Sequence, residues 1–320
     1  MNDHPSVAEP TANRKQQEAR FRTIFRRIHA HHPNCLRDEW LTEPCRFANG
    51  RLADRPIVWS RRNGPWQHSE VLWIGSAPGN AGGKGGGPLG AHGTRIPFGG
   101  DIAGGNLDVL MASIGLDRNR TFITATLNQL PRAGGGEPTL AELRAPVGEY
   151  PSSLHIVRDT LIAVGPKLLV VLGNTALRAV FAAVRITQEP KRLPSLKLLQ
   201  ESGLVRNRAP AWPTALTPDE DFQAAWKAAW PRRPLPHVLW LIHPSAQNMS
   251  PYAGRHTVFH QRMRTARTAL RRAARNVLGY SVPRHRAPMP GGGIYALPEW
   301  RELIGPRHQE LSSRWRERGI

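Results

Sequence analysis

The sequence predicts an α/β fold with a parallel central sheet, on three observations. Short, wholly apolar runs recur along the chain, amphipathic helical stretches alternate with them, and glycine or proline marks the junctions. The strand candidates are Val71–Gly75, Thr121–Leu127, Leu168–Leu172 and His237–Ile242. Val71-Leu72-Trp73-Ile74 and Leu168–Leu172 are continuous apolar runs, as strands covered on both faces require. The 320 residues, 40% hydrophobic, suffice for one large domain with extensions or two small ones.

Residues 1–15 are polar and proline-containing and are expected to be disordered. From Gln16 to Ala30, Phe21, Ile24, Phe25 and Ile28 recur at helical spacing, which predicts an amphipathic helix packed on the core. The first strand delivers the chain into a glycine-laden loop ending near Gly105, and helix is expected over Asn106–Leu116. Further helices are predicted over Ser152–Val164 and Asn174–Val184, on either side of the third strand. Residues 185–236 interrupt the alternation with prolines, basic residues and a tryptophan-bearing helix near Asp219–Trp230, and read as an insertion.

In the last strand Pro244 cannot donate to a sheet ladder, so the strand stops at His243 and leaves that residue at the mouth of the fold. A helix over His256–Leu278 follows, with Phe259, Met263, Ala266, Leu270, Ala273 and Val277 on one stripe. Arg264, Arg267, Arg271 and Arg275 lie on another face, with no acidic residue among them. One domain over residues 16–278 is therefore expected, followed by a basic Pro/Gly-rich extension over 279–320.

Composition narrows the partner. There are 44 Lys plus Arg against 24 Asp plus Glu, a formal net charge of +20, which points to a polyanion and to nucleic acid first. The longest apolar stretches fall far short of the roughly 18 residues that a membrane-spanning helix needs. The N-terminus has no signal pattern, so the expected location is the cytoplasm, in association with the nucleoid. Cys35 and Cys45 cannot supply a four-cysteine zinc or iron–sulfur site and read as free thiols; no cofactor or metal is expected. No obligate protein partner is evident, and a monomer is expected.

Gly75-Ser76-Ala77-Pro78-Gly79 follows the first strand, Asn128 the second, and His243-Pro244-Ser245 the last. In order and strand context this set resembles the uracil-DNA glycosylase superfamily over roughly residues 57–278. Leu172-Gly173-Asn174-Thr175-Ala176 is similar to that superfamily's L-G-x-x-A packing segment. The resemblance implies a three-layer αβα sandwich around a four-stranded parallel sheet, and a base pocket at the sheet's carboxyl edge. It also implies a monofunctional DNA glycosylase that flips a nucleotide out of the stack and hydrolyses its N-glycosidic bond.

Carried over by resemblance, His243 donates a hydrogen bond to the departing base, and Asn128 reads the base edge. Phe98 stacks on the flipped base beside Ser76 and Ala77. The first motif departs from branches that carry Asp or Asn there. Asp101, in Phe98-Gly99-Gly100-Asp101, matches a T-G-D-like turn and is the expected water-positioning carboxylate, with Asp108 the alternative. The four cysteines of related branches are missing, so packing must hold the N-terminal region.

Beyond His243, Ser245, Gln247, Asn248, Met249 and Tyr252 would form a loop entering the DNA, with Met249 or Tyr252 as the wedge. Arg264, Arg267 and Arg271 would meet phosphates. Gly82-Gly83-Lys84-Gly85-Gly86-Gly87 is not a P-loop, because Gly85 stands where Ser or Thr is needed, so a nucleotide hydrolase ranks last. Those glycines would leave a roomy mouth for a bulky modified pyrimidine, such as the glucosylated hydroxymethylcytosine of phage DNA, in place of uracil. Repair and antiviral defence both remain open, and the competing class is a catalytically silent DNA- or base-binding protein.

Overall fold

The computed structural model describes residues 11–28, 69–77, 98, 102–116, 121–127, 137–186, 194, 195, 197, 199, 214–244 and 256–280. A mostly parallel sheet lies between two helical layers. Its strands are β1 (Val71–Gly75), β2 (Phe122–Ala125), β3 (Leu168–Leu172), β4 (Thr214–Ala215) and β5 (His237–Leu241), in the spatial order β2-β1-β3-β5-β4. The four predicted strands are all parallel to their neighbours, and β4 adds a fifth, antiparallel strand at the edge.

The sequence predicts four strands; the difference is β4, which pairs Thr214 with Val238 and Ala215 with His237. It lies in the stretch read as an insertion, as does α6 (Glu220–Ala229). Asp219 caps α6 by accepting from the Phe222 backbone N–H at 2.7 Å, and Phe222, Trp226 and Trp230 are buried in the core. Residues 214–236 are thus part of the same core as the rest of the domain.

Alternation along the strands sorts the two layers. Leu72, Ile74, Phe122, Leu169, Val171 and Trp240 face α1 (Thr11–Ile28), α4 (Ser153–Val164), α5 (Asn174–Ala183) and α6. Val71, Trp73, Ile123, Val170, Leu239 and Leu241 face α2 (Ile102–Ala112) and α7 (His256–Ala273). The stripes expected on α1 and α7 are buried at Phe21, Ile24 and Ile28, and at Met263, Ala266, Leu270 and Ala273.

Several boundaries differ from expectation. α1 begins at Thr11, five residues before Gln16, and Gln17 ties it to the end of α4 through the Ala163 and Val164 carbonyls, at 3.1 and 3.3 Å. α2 begins at Ile102, so Asn106 lies inside the helix. α3 (Leu140–Arg144) is an additional short helix, opened by a capping box between Thr139 and Glu142. α7 runs into a π-helical turn over Ala274–Leu278 that stops at Gly279, whose φ is +70°.

The topology prepares a site. From β1 the chain steps outward to β2, then crosses back to β3 on the other side of β1. That reversal opens a crevice beyond the carboxyl ends of β1 and β3, where open α/β sheets take their ligands. The registers Gly75 with Ala125 and Leu172 with Leu241 bring four strand ends to this one edge.

Candidate active site

Gly75 ends β1, and the Phe98 ring lies directly on it: a Cβ at residue 75 would stand 2.8 Å from Phe98 Cζ. Only glycine lets the ring settle against the strand end. Phe98 itself adopts a left-handed backbone, φ +54°. For a bulky residue that conformation costs about 1–3 kcal/mol, and such strain concentrates at functional sites. Across the crevice the Phe98 and His243 rings are 5.7 Å apart between centroids, tilted by 37°. One aromatic side chain therefore spans from the end of β1 to the end of β5.

His243 is half-buried, two residues past β5. Its flank is Gly173, which opens α5 at φ +95°, and a Cβ there would stand 3.2 Å from His243 Cβ. The Gly173 N–H donates to the Leu241 carbonyl at 2.9 Å, pinning the end of β3 to the end of β5. Beyond the histidine, the buried Pro244 accepts a 2.8 Å hydrogen bond through its carbonyl from Asn106 Nδ2 of α2.

Ser76 is buried, and its Oγ has no hydrogen-bond partner among the described residues. Its carbonyl accepts from the Leu127 N–H at 2.9 Å and from Thr126 Oγ1 at 2.7 Å, while the Thr126 N–H donates to the Gly75 carbonyl at 2.8 Å. These bonds clamp the first motif to the end of β2, one residue before Asn128. Ala77 is half-buried against the helical layer of α1 and α4.

Asn106 is fully buried, and its Oδ1 also lacks a partner among the described residues. A buried acceptor left unpaired costs about 1–3 kcal/mol. Asp108, the alternative acid, is buried two residues further along α2, at 7% exposure. Asp101, Asn128, Ser245, Gln247, Asn248, Met249 and Tyr252 lie outside the described residues, as do Cys35, Cys45 and the glycines at 82–87.

The arginines of α7 divide into two groups. Arg264 is exposed, together with Arg262, Arg272 and Arg275. Arg267 and Arg271 are half-buried, and Arg271 Nε donates to the Ser113 carbonyl beyond α2 at 3.2 Å. Burial, and then the neighbouring Arg271 charge, lower the pKa of Arg267. Asn106 and Gly173 are the residues of the site to which sequence reasoning gave no role beyond helix capping or packing. The signal for Asn106 was an amide among the mostly apolar residues of α2.

The assembled edge joins an aromatic ring, an imidazole and a buried hydroxyl around a glycine floor. It suits a flat heteroaromatic ligand that stacks on one side and accepts hydrogen bonds at its rim. Among the described residues no three His, Cys, Asp or Glu side chains gather as metal ligands would, and no helix is long and apolar enough to cross a membrane. A comparison with curated proteins finds no match. The family model for the uracil DNA glycosylase superfamily matches residues 62–267, more than half of the chain and the span that carries every strand of this edge. By that match the chain belongs to the uracil-DNA glycosylase superfamily, and its general function is of the DNA glycosylase type.

Proposed function

We propose that the protein is a monofunctional DNA N-glycosylase acting on a flipped-out uracil or a bulkier modified pyrimidine. The observation that carries this reading is the pairing of Phe98 and His243 over Gly75, at the one sheet edge where the fold opens a crevice. A flipped base stacks on the Phe98 ring, with the Ser76 hydroxyl and Ala77 beneath it and the Asn128 amide at its edge.

As the C1′–N bond breaks, its electron pair moves onto the base and positive charge develops on the sugar. His243 donates a hydrogen bond to the base oxygen, where the negative charge gathers. Asp101 orients a water that adds to C1′ and accepts its proton; the released base takes up a proton, and an abasic site remains. Arg264, Arg267 and Arg271 attract phosphates, and the loop with Ser245, Gln247, Asn248, Met249 and Tyr252 fills the vacated stack. The glycines at 82–87 give room for a substituent as large as the glucosyl group of phage hydroxymethylcytosine. Either DNA repair or defence against modified phage DNA would use this reaction.

The test is to incubate the wild-type protein and Asp101→Asn with uracil-containing DNA and with naturally modified phage DNA, and to count alkali-labile sites. An active parent and an inactive variant are expected. A folded parent that binds both DNAs and never produces such sites would make the protein a silent binder. Excision of uracil with no enlarged base would remove the bulky-pyrimidine assignment.

A further inference from the structure

Asn106 is fully buried on a helix whose other buried residues include Leu107, Leu110 and Met111. Of its side-chain polar atoms, Nδ2 reaches the Pro244 carbonyl at 2.8 Å across 138 residues of sequence, and Oδ1 is buried without a partner among the described residues. The amide is therefore held in place for its donor, since an apolar side chain of similar size would leave no acceptor of its own unpaired. Pro244 has no N–H, so its carbonyl is the one backbone group by which this residue can be tied down. The residue before it is His243, flanked by Gly173 on one side and the Phe98 ring on another.

We propose that Asn106 is a positioning residue: by holding the Pro244 carbonyl, it sets the height and tilt of the His243 imidazole at the pocket. Its bearing on catalysis rests on the base-release reading above, whereas its hold on His243 does not. Without the bond, the segment from Ile242 to Pro244 keeps its packing at Gly173 but loses its tie to α2, so the imidazole swings against the base. A shift of this kind acts on the transition state more than on binding.

The experiment compares wild type with Asn106→Leu and Asn106→Met, each of which removes the donor at similar volume. Base release, DNA affinity, thermal unfolding and the His243 imidazole NMR signals, assigned with His243→Gln, are measured on the full chain. Expected are a kcat lower by roughly tenfold to hundredfold, KM and DNA affinity within about twofold, and displaced His243 resonances. Folded variants with unmoved His243 resonances would overturn the proposal, as would loss of folding in both, which would make Asn106 a purely structural residue. If the wild type releases no base from any DNA, the glycosylase reading fails by itself, and the His243 resonances still decide whether Asn106 positions the imidazole.

Discussion

The two edges of the sheet differ in how they are held. At the amino edge polar groups pair with one another: Lys167 bridges to Glu70, and Tyr280 OH donates to the same carboxylate at 2.9 Å. Gln17 and Trp230 Nε1 reach the Ala163 and Ile162 carbonyls at the end of α4, at 3.1 and 2.7 Å. At the carboxyl edge Phe98 holds a left-handed backbone, and Ser76 Oγ and Asn106 Oδ1 are buried without partners among the described residues. Buried polar atoms without a partner among the described residues occur at both ends, His237 Nδ1 at the amino edge among them, so what sets the carboxyl edge apart is the left-handed backbone of Phe98, strain of the kind that gathers at functional sites. Stability and chemistry are therefore separable by mutation.

The largest separation is expected at His243. Replacing it by Gln should lower kcat by about 100- to 1,000-fold, the range for losing a donor aimed at developing charge. The unfolding temperature should stay within a few degrees, because the side chain is only half-buried; an equal loss of stability would merge the two edges. Gly165→Ala is the converse at the amino edge. Gly165 sits at φ +59°, and a Cβ would fall 2.2 Å from Trp230 Cε2, so about 2–4 kcal/mol of stability should be lost in thermal unfolding. Base release per folded molecule should not change.

Gly173→Ala tests the boundary between the two. The φ of +95° and the 3.2 Å approach to His243 Cβ predict a drop of roughly tenfold in kcat together with a modest loss of stability. A change in stability alone would separate Gly173 from the site. The smallest effect is expected at Tyr150, which is 1% exposed and donates to Asp159 at 2.8 Å beneath the Arg27 guanidinium. Burial first, then the Asp159 carboxylate, raises its pKa above the ordinary 10.0. The folded state thus favours the protonated phenol, and the contribution is intact below about pH 10 and lost as pH rises beyond it. Tyr150→Phe should be less stable by about 1 kcal/mol at neutral pH and should flatten the alkaline loss, as read by unfolding at pH values on either side of 10.

Much of the fold is written in local pattern. The apolar runs of β1 and β3 and the stop at Pro244 mark the strand ends, and motif order places His243, Phe98 and Ser76 at one edge. β4 is legible in no such way, because Thr214 and Ala215 are only two residues and neither of them is buried. α3 is too short to show a helical period, though its capping box, Thr139 with Glu142, stands in the sequence. Asn106 reads locally as the start of a helix, yet Gly104 precedes it inside α2, and its partner Pro244 is 138 residues away. The charge pattern of α7 shows arginines without acids, but not that Ser113 receives Arg271 and leaves Arg264 in solvent.

Hydrolysis of a glycosidic bond at the carboxyl edge can be followed by running the reaction in ¹⁸O-labelled water on uracil-containing and glucosylated DNA and weighing the products. Expected are an intact free pyrimidine, an unbroken strand and one ¹⁸O at C1′ of the abasic sugar. DNA that is bound but returned unchanged, or a strand cut without release of a base, would contradict that reaction.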